Sequence, residues 1–261
     1  MALPRLQLFE FNDAPWAPAT LRAMLVESLS IALERGRLLD GLVAPLADFL
    51  VATRADGLLD LGSGSGAPAR VLLGALAERG LRPRLTLSDL HPRVAAWEAI
   101  RERFPDQVDL VPTPLDATAI PAEVSAGRAR IIVNVLHHFP APLVRAVLAD
   151  AVRSGQGIFI AESFGRRPLA AAGMIPTGLP ALLASPLRGA DRALRAGLVW
   201  GSPLALIAGA WDTLVSTMRI WEADDLHALA AELGGEFEWR SGRYPVTRFG
   251  DGLWFSGTPR A

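Results

Sequence analysis

Hydrophobic spacing divides the chain into stretches of different period. Over the first fifty-odd residues apolar positions recur at mostly three- and four-residue steps (Ile31, Leu38, Leu39, Leu42, Val43, Leu46). That spacing predicts helices, with Pro45 marking a bend or a fresh start. From Gly57 short apolar runs alternate with amphipathic ones. Strands are predicted over 58–61, 85–87, 108–111, 130–135 and 157–161, and helices over 67–76, 92–104 and from Pro140 or Pro142 onward. The last helix shows an apolar stripe of Leu143, Val144, Val147, Leu148, Ala151 and Val152.

The alternation breaks at residues 164–211, which are apolar, rich in proline and glycine, and carry Asp191 as their only acid. A helix over 224–233, which Gly234 can end, precedes two closing strands over 237–240 and 253–256. The turn-rich RYPVTRFGDG joins them closely enough for a hairpin. The predicted architecture is α/β and Rossmann-like. A doubly wound, mostly parallel seven-stranded sheet ends in an antiparallel hairpin strand, with helices at the N-terminus and an apolar helical insertion before the last two strands. One domain over 1–261 is expected: a helical cap (1–56), a core (57–163), an insertion or lid (164–211) and a C-terminal helix with strands (212–261).

Composition removes several chemistries. The 261 residues contain no cysteine, and all 26 basic side chains are arginine. Thiolate metal sites, cysteine nucleophiles, Schiff-base lysines and a Walker-type phosphate loop are therefore excluded, and no metal is implied. A formal net charge of −1 gives no basic field for nucleic acid. Lysine-free, Ala/Arg/Gly/Pro-rich composition suits a GC-rich bacterial genome. Glu10 and Asp13 interrupt the run that a signal peptide would need, so a cytoplasmic protein is expected. Residues 168–187 are uncharged and long enough to span a bilayer, but three prolines and two glycines break them, so stable membrane insertion is not expected.

The candidate chemistry sits at strand ends. GSGSGA (62–67) follows the first strand and opens a helix, as a dinucleotide loop, another nucleoside-binding turn or a plain tight turn would. Asp89, after the second strand, stands where a carboxylate accepts ribose hydroxyls, or where it caps the next helix. Asp60 immediately precedes the loop and could meet an amino group; a pyrophosphate would gain nothing from it. Asp116 follows the third strand and could accept from an adenine amino group, and the fourth strand runs into NVLHHFP (134–140).

This combination, over roughly 58–163, resembles the class I S-adenosylmethionine-dependent methyltransferases. NDAPWAPATLR and WDTLVSTMRIWEADDL are similar to a subgroup of small bacterial members of mostly unassigned substrate. The resemblance implies S-adenosylmethionine as cofactor, with Asp60, Gly62, Ser63, Gly64 and Gly66 at the methionyl part. It implies Asp89 and Leu90 at the ribose, Asp116 and Ala117 at the adenine, and Asn134 and Val135 beneath the sulfonium. It further implies methyl transfer to a small-molecule acceptor, at oxygen first and at carbon or nitrogen otherwise. A non-catalytic binding module and a nicotinamide-dependent oxidoreductase are the competing readings.

His138, then His137, are candidates for a general base, because ligands bind at the carboxyl ends of strands and imidazole titrates near neutrality; Glu162 is a third pocket candidate. His91 and His227 read as solvated helix residues. Trp16, Arg22, Trp211 and Arg219 are candidates for substrate contact, and the apolar segment suggests a lid over a partly apolar substrate. A homodimer is compatible with the sequence.

Overall fold

The computed structural model describes residues 4–189, 191–247 and 250–260, with the side chains of 168–172 and 247 excepted. Along the chain the elements are α1 (Ala19–Arg35), α2 (Val43–Thr53), β1 (Gly57–Leu61), α3 (Ala67–Glu78), β2 (Arg84–Ser88), α4 (Val94–Arg103) and β3 (Val108–Leu110). There follow α5 (Ala122–Ser125), β4 (Arg128–Val133), α6 (Ala141–Ser154), β5 (Ile158–Glu162), α7 (Pro168–Leu183), α8 (Arg192–Val199), α9 (Leu204–Arg219), α10 (Ala223–Ala231), β6 (Phe237–Thr247) and β7 (Gly250–Pro259). They fall into two compact units. One comprises Met1–Leu38, Phe164–Ile220 and Val246–Asp251; the other comprises Leu39–Ser163, Trp221–Pro245 and Gly252–Ala261.

The second unit holds the sheet, in the order β3-β2-β1-β4-β5-β7-β6. Strands β1 to β5 are parallel, and β7 runs antiparallel to β5, as the sequence predicts. Residues of β1 and β5 are buried throughout, which is why, apart from Asp60 and Glu162 toward their carboxyl ends, they read as apolar runs rather than alternating ones. Leu59, Leu61, Ile132 and Ile160 form one core with Val144, Val147, Leu148 and Ala151 of α6 and with Leu226, Leu229 and Ala230 of α10. The stripe on α6 is narrower than its sequence suggests, since Leu143 is exposed. Burying a Leu, Ile or Val side chain contributes about 1.5–3 kcal/mol, so these few contacts outweigh any propensity term.

The closing strands are longer than predicted. β6 takes in much of RYPVTRFGDG, of which residues 248–249 lie outside the described residues. Tyr244 is buried there, and Pro245 is tolerated because β6 is the sheet edge, where one backbone donor is not needed. His91 lies in an exposed turn ahead of α4 rather than within a helix. His227 is helical but engaged: its Nε2 lies 3.0 Å from Ser241 Oγ, and its ring meets Phe255 edge-on at 5.0 Å. Glu222 and Asp225 cap α10 reciprocally.

In the first unit, Leu182, Val199, Ala205 and Ala208 pack with Leu21, Met24 and Leu25 of α1. The segment before α1 is fastened along α9 by hydrogen bonds. Leu6 N–H donates to the Met218 carbonyl (3.0 Å), Trp211 Nε1–H to the Phe9 carbonyl (3.0 Å), and Phe11 and Asn12 N–H to the Asp212 carboxylate (2.7 and 3.0 Å). Prolines 176 and 180 are helical residues of α7 and lie on its exposed side. No single helix among the described residues is long and apolar enough to cross a membrane.

Candidate functional site

Sheet order determines where the second unit can hold a ligand. From β1 the chain winds to β2 and β3 on one side and then crosses to β4 and β5 on the other, so the strand order reverses between β1 and β4. A crevice opens at the carboxyl ends of strands at such a point. Asp60 with 62–66, Asp89, Asn134 and Glu162 all stand at those ends of β1, β2, β4 and β5.

The glycine loop owes its shape to three left-handed residues, Gly62 (φ 76°), Gly64 (φ 53°) and Gly66 (φ 77°). The first and last also let neighbours approach: a Cβ on Gly62 would stand 2.9 Å from Val135 Cγ1, and one on Gly66 would stand 2.3 Å from Ile100 Cδ1. At Gly64 a Cβ would meet nothing within 4 Å, so the loop presents bare backbone to open space there. Both sides of Gly64 are tied. Its N–H donates to Asp89 Oδ2 (2.9 Å), and its carbonyl accepts the indole N–H of buried Trp97 (2.9 Å). Behind the loop, the Ser88 carbonyl accepts from Gly62 and Ser63 N–H, and the Ser88 and Ser63 hydroxyls both donate to the Asp60 carbonyl.

Asp60 is buried, and burial pushes its carboxyl up to about 7; the Ser63 hydroxyl works against the shift and the Asp89 charge adds to it. A carboxyl in that condition is part protonated near neutral pH, and a cation beside it draws it to the charged form. Asp89 spends its other oxygen on His91 N–H (2.8 Å), an Asx turn rather than a helix cap, and adjacent Leu90 is exposed. The Asp89 carbonyl accepts Leu115 N–H (2.9 Å), which draws the loop after β3 to the end of β2. Asp116, exposed, accepts from Thr118 N–H and its hydroxyl, which hold its pKa below the ordinary carboxylate value. Ala117 is half-buried against the core.

Asn134 takes the left-handed conformation (φ 58°) that ends β4, and its Oδ1 accepts Ser163 N–H (2.7 Å). Beyond it a short turn carries the histidines. Glu162, 1% exposed, accepts the His137 backbone N–H on Oε1 (3.0 Å) and pairs with His137 Nδ1 through Oε2 (2.8 Å). The contact directs the Nδ1 proton of His137 toward the carboxylate. The His138 ring lies on the His137 ring at 4.2 Å and is the more exposed of the two.

The four substrate candidates belong to the first unit. Trp16 and Trp211 both pack on Phe9, at 5.6 and 5.4 Å, and Trp16 is largely exposed. Arg22 lies on α1 and is half-buried. Arg219 is buried and engaged: it ion-pairs with Glu10 at 3.2 Å and Asp13 at 3.4 Å and donates to the Leu8 carbonyl. Sequence reasoning missed Trp97 and Ser88, which shape the loop, and Ser163. Only Ser88 had a signal, as the residue between a predicted strand (85–87) and a candidate acid.

Across 93% of this chain and 95% of the other, the structure superposes on the plantazolicin methyltransferase BpumL in complex with S-adenosylhomocysteine, with TM-score 0.54 and 10% sequence identity. The chain carries the class I methyltransferase fold. At that identity the likeness is one of fold. The methyltransferase domain of the bacterial CtHen1-C matches 86% of this chain and all of that one, at TM-score 0.48 and 13% identity. The mitomycin 7-O-methyltransferase MmcR matches at TM-score 0.46 and 16% identity, with the chain spanning 55% of its length. No protein-family profile matches the sequence, and no curated protein does. Within the methyltransferase fold the loop, Asp89 and Asn134 occupy the ends of β1, β2 and β4.

Proposed function

We propose that this protein moves a methyl group from S-adenosylmethionine to an oxygen of a small, partly apolar acceptor. The observation that carries the reading is Asp60: a buried carboxyl, raised to about 7, at the mouth of a left-handed glycine loop. It favours a cationic group such as the α-ammonium of a methionyl moiety, and it opposes the pyrophosphate of a nicotinamide dinucleotide. Gly64 fits the same ligand, since its backbone can be approached with no side chain in the way. Asp89 would receive the ribose on oxygens already oriented by two backbone donors, Leu90 would cover the base, and Asp116 with Ala117 would border it. The bound cofactor supplies a methyl group made electrophilic by the sulfonium.

The chain's own contribution is alignment and proton removal. Holding acceptor and methyl in line is worth up to roughly 7–11 kcal/mol in well-oriented models. In this reading His138 takes the acceptor's hydroxyl proton on its ring nitrogen. His137, anchored by Glu162 through ring and backbone, forms the rigid platform on which His138 rests. Such a base is needed for a hydroxyl and not for a carbon nucleophile already ionised.

Calorimetric titration tests the cofactor assignment. The protein should bind S-adenosylmethionine and its demethylated product, which share the α-ammonium, and Asp60→Asn should weaken both at least about tenfold, the value of one charge-assisted contact. Binding of NAD with no response to S-adenosylmethionine would overturn the reading.

A further inference from the structure

Tyr244 is the only tyrosine in a chain with ten phenylalanines, and it is buried. Packing alone would be served by phenylalanine, since a phenol hydroxyl taken out of water costs free energy unless it finds a partner. In the strand order β5-β7-β6 a whole strand separates Tyr244, on β6, from β5. Its ring nonetheless reaches the end of β5 by crossing β7 at Gly252. A Cβ on Gly252 would stand 2.5 Å from Tyr244 Cε1 and Cζ and 2.6 Å from the Glu162 carbonyl oxygen. Gly252 lies outside the left-handed region, so glycine is required there by the close approach and not by the backbone's conformation.

The hydroxyl of Tyr244 lies 3.5 Å from Ser163 Oγ, its one polar partner among the described residues, and Ser163 is itself buried. Burial raises the phenol's pKa; the Ser163 hydroxyl opposes the shift and the charge of Glu162 adds to it, so the hydroxyl keeps its proton to donate. Glu162 with Leu253 is the last pair of the β5–β7 ladder. Ser163, one residue beyond, is held by side chains instead: its N–H by Asn134 Oδ1 (2.7 Å) and its hydroxyl by Tyr244. Two tethers of the candidate site therefore leave this one corner. Ser163 fixes Asn134 at the end of β4, and Glu162 holds the ring and the backbone of His137 (2.8 and 3.0 Å).

We propose that Tyr244 is a positioning residue of the methyl-transfer site: its ring and hydroxyl fix the corner at Glu162 and Ser163, and through it the histidine turn that carries His138. The inference rests on the reading of His138 as the base. In the full-length protein, exchange of the His137 Nδ1 proton can be followed by NMR beside that of the Ile132 amide in the middle of the sheet. Tyr244→Phe keeps the ring and should speed exchange at His137 about threefold, the worth of a long neutral hydrogen bond, while Ile132 is unaffected. Ser163→Ala should do the same, and Tyr244→Phe/Ser163→Ala should do no more than either alone, because all three remove one contact. With an identified acceptor, kcat should fall by a similar factor while titration shows unchanged affinity for S-adenosylmethionine. Four results would overturn the proposal: unchanged exchange at His137 in Tyr244→Phe, equal acceleration at Ile132, additive effects in the double variant, or an unmoved kcat. Equal acceleration at Ile132 would mark a loss of global stability and no more. Absence of cofactor binding in the parent protein overturns the methyl-transfer reading; normal binding together with any of the four overturns this inference alone.

Discussion

His138 and Glu162 show how much a single side chain's role depends on its neighbours. Both were candidates by position at strand ends, and Glu162 could equally have been an exposed acid. Burial and two contacts to His137 make it a support for the histidine turn instead. In the proposed reaction His138→Ala should lower kcat by about 10²–10⁴ while cofactor affinity stays unchanged, and Glu162→Gln should lower kcat less, by roughly tenfold or more. Steady-state kinetics with an identified acceptor, alongside cofactor titration, separates the two effects. Equal loss of cofactor affinity in His138→Ala would move the residue from catalysis to cofactor closure. The partner of His137 was not legible in the chain: twenty-five residues separate it from Glu162, and only the pairing of β4 with β5 brings them together.

The glycine loop is the element whose existence was plainest in the sequence and whose holding was least so. Gly62, Gly64 and Gly66 announce a turn, but not which of them meets protein and which faces open space. Substitution should distinguish them. Both Gly64→Ala and Gly66→Ala force a Cβ into the left-handed region, at about 1–2 kcal/mol. Gly66→Ala also drives that Cβ into Ile100, so its melting temperature should fall further, whereas Gly64→Ala should lose cofactor affinity out of proportion to its stability. Thermal unfolding and calorimetric titration of the two variants test this, and the expectation fails if Gly64→Ala binds cofactor normally. The closing hairpin teaches the complementary lesson. Proline and glycine in RYPVTRFGDG signalled a loop, and an edge position let much of it be strand.

At the scale of the whole molecule, each unit carries one buried acid with a raised pKa. Burial lifts Asp60 to about 7 in the second unit; in the first, burial and the nearby charges of Glu10 and Asp13 lift Asp212 to about 6 against two backbone hydrogen bonds. In the unfolded chain both release their protons near 3.8. Between about pH 4 and pH 7 the native state therefore binds more protons than the unfolded state, and stability from these groups falls as pH rises. Asp116, held low by Thr118, acts in the opposite sense and loses its contribution in acid. Asp60→Asn should stabilise the cofactor-free protein more at about pH 8 than at about pH 5, by up to about 3 kcal/mol. Denaturant unfolding at the two pH values checks the sign, and a larger gain at the lower pH would refute it. The sequence by itself determined the alternation of strands and helices, the glycine turn, and which acids stand at strand ends, because hydrophobic period and backbone permissiveness are local properties. Tertiary structure alone decided that Trp97 and Asp89 grip Gly64, that Arg219 is engaged with Glu10, that Glu162 serves His137, and that Tyr244 of β6 reaches the end of β5. Those outcomes depend on desolvation and on pairs far apart in the chain, which no window of sequence contains.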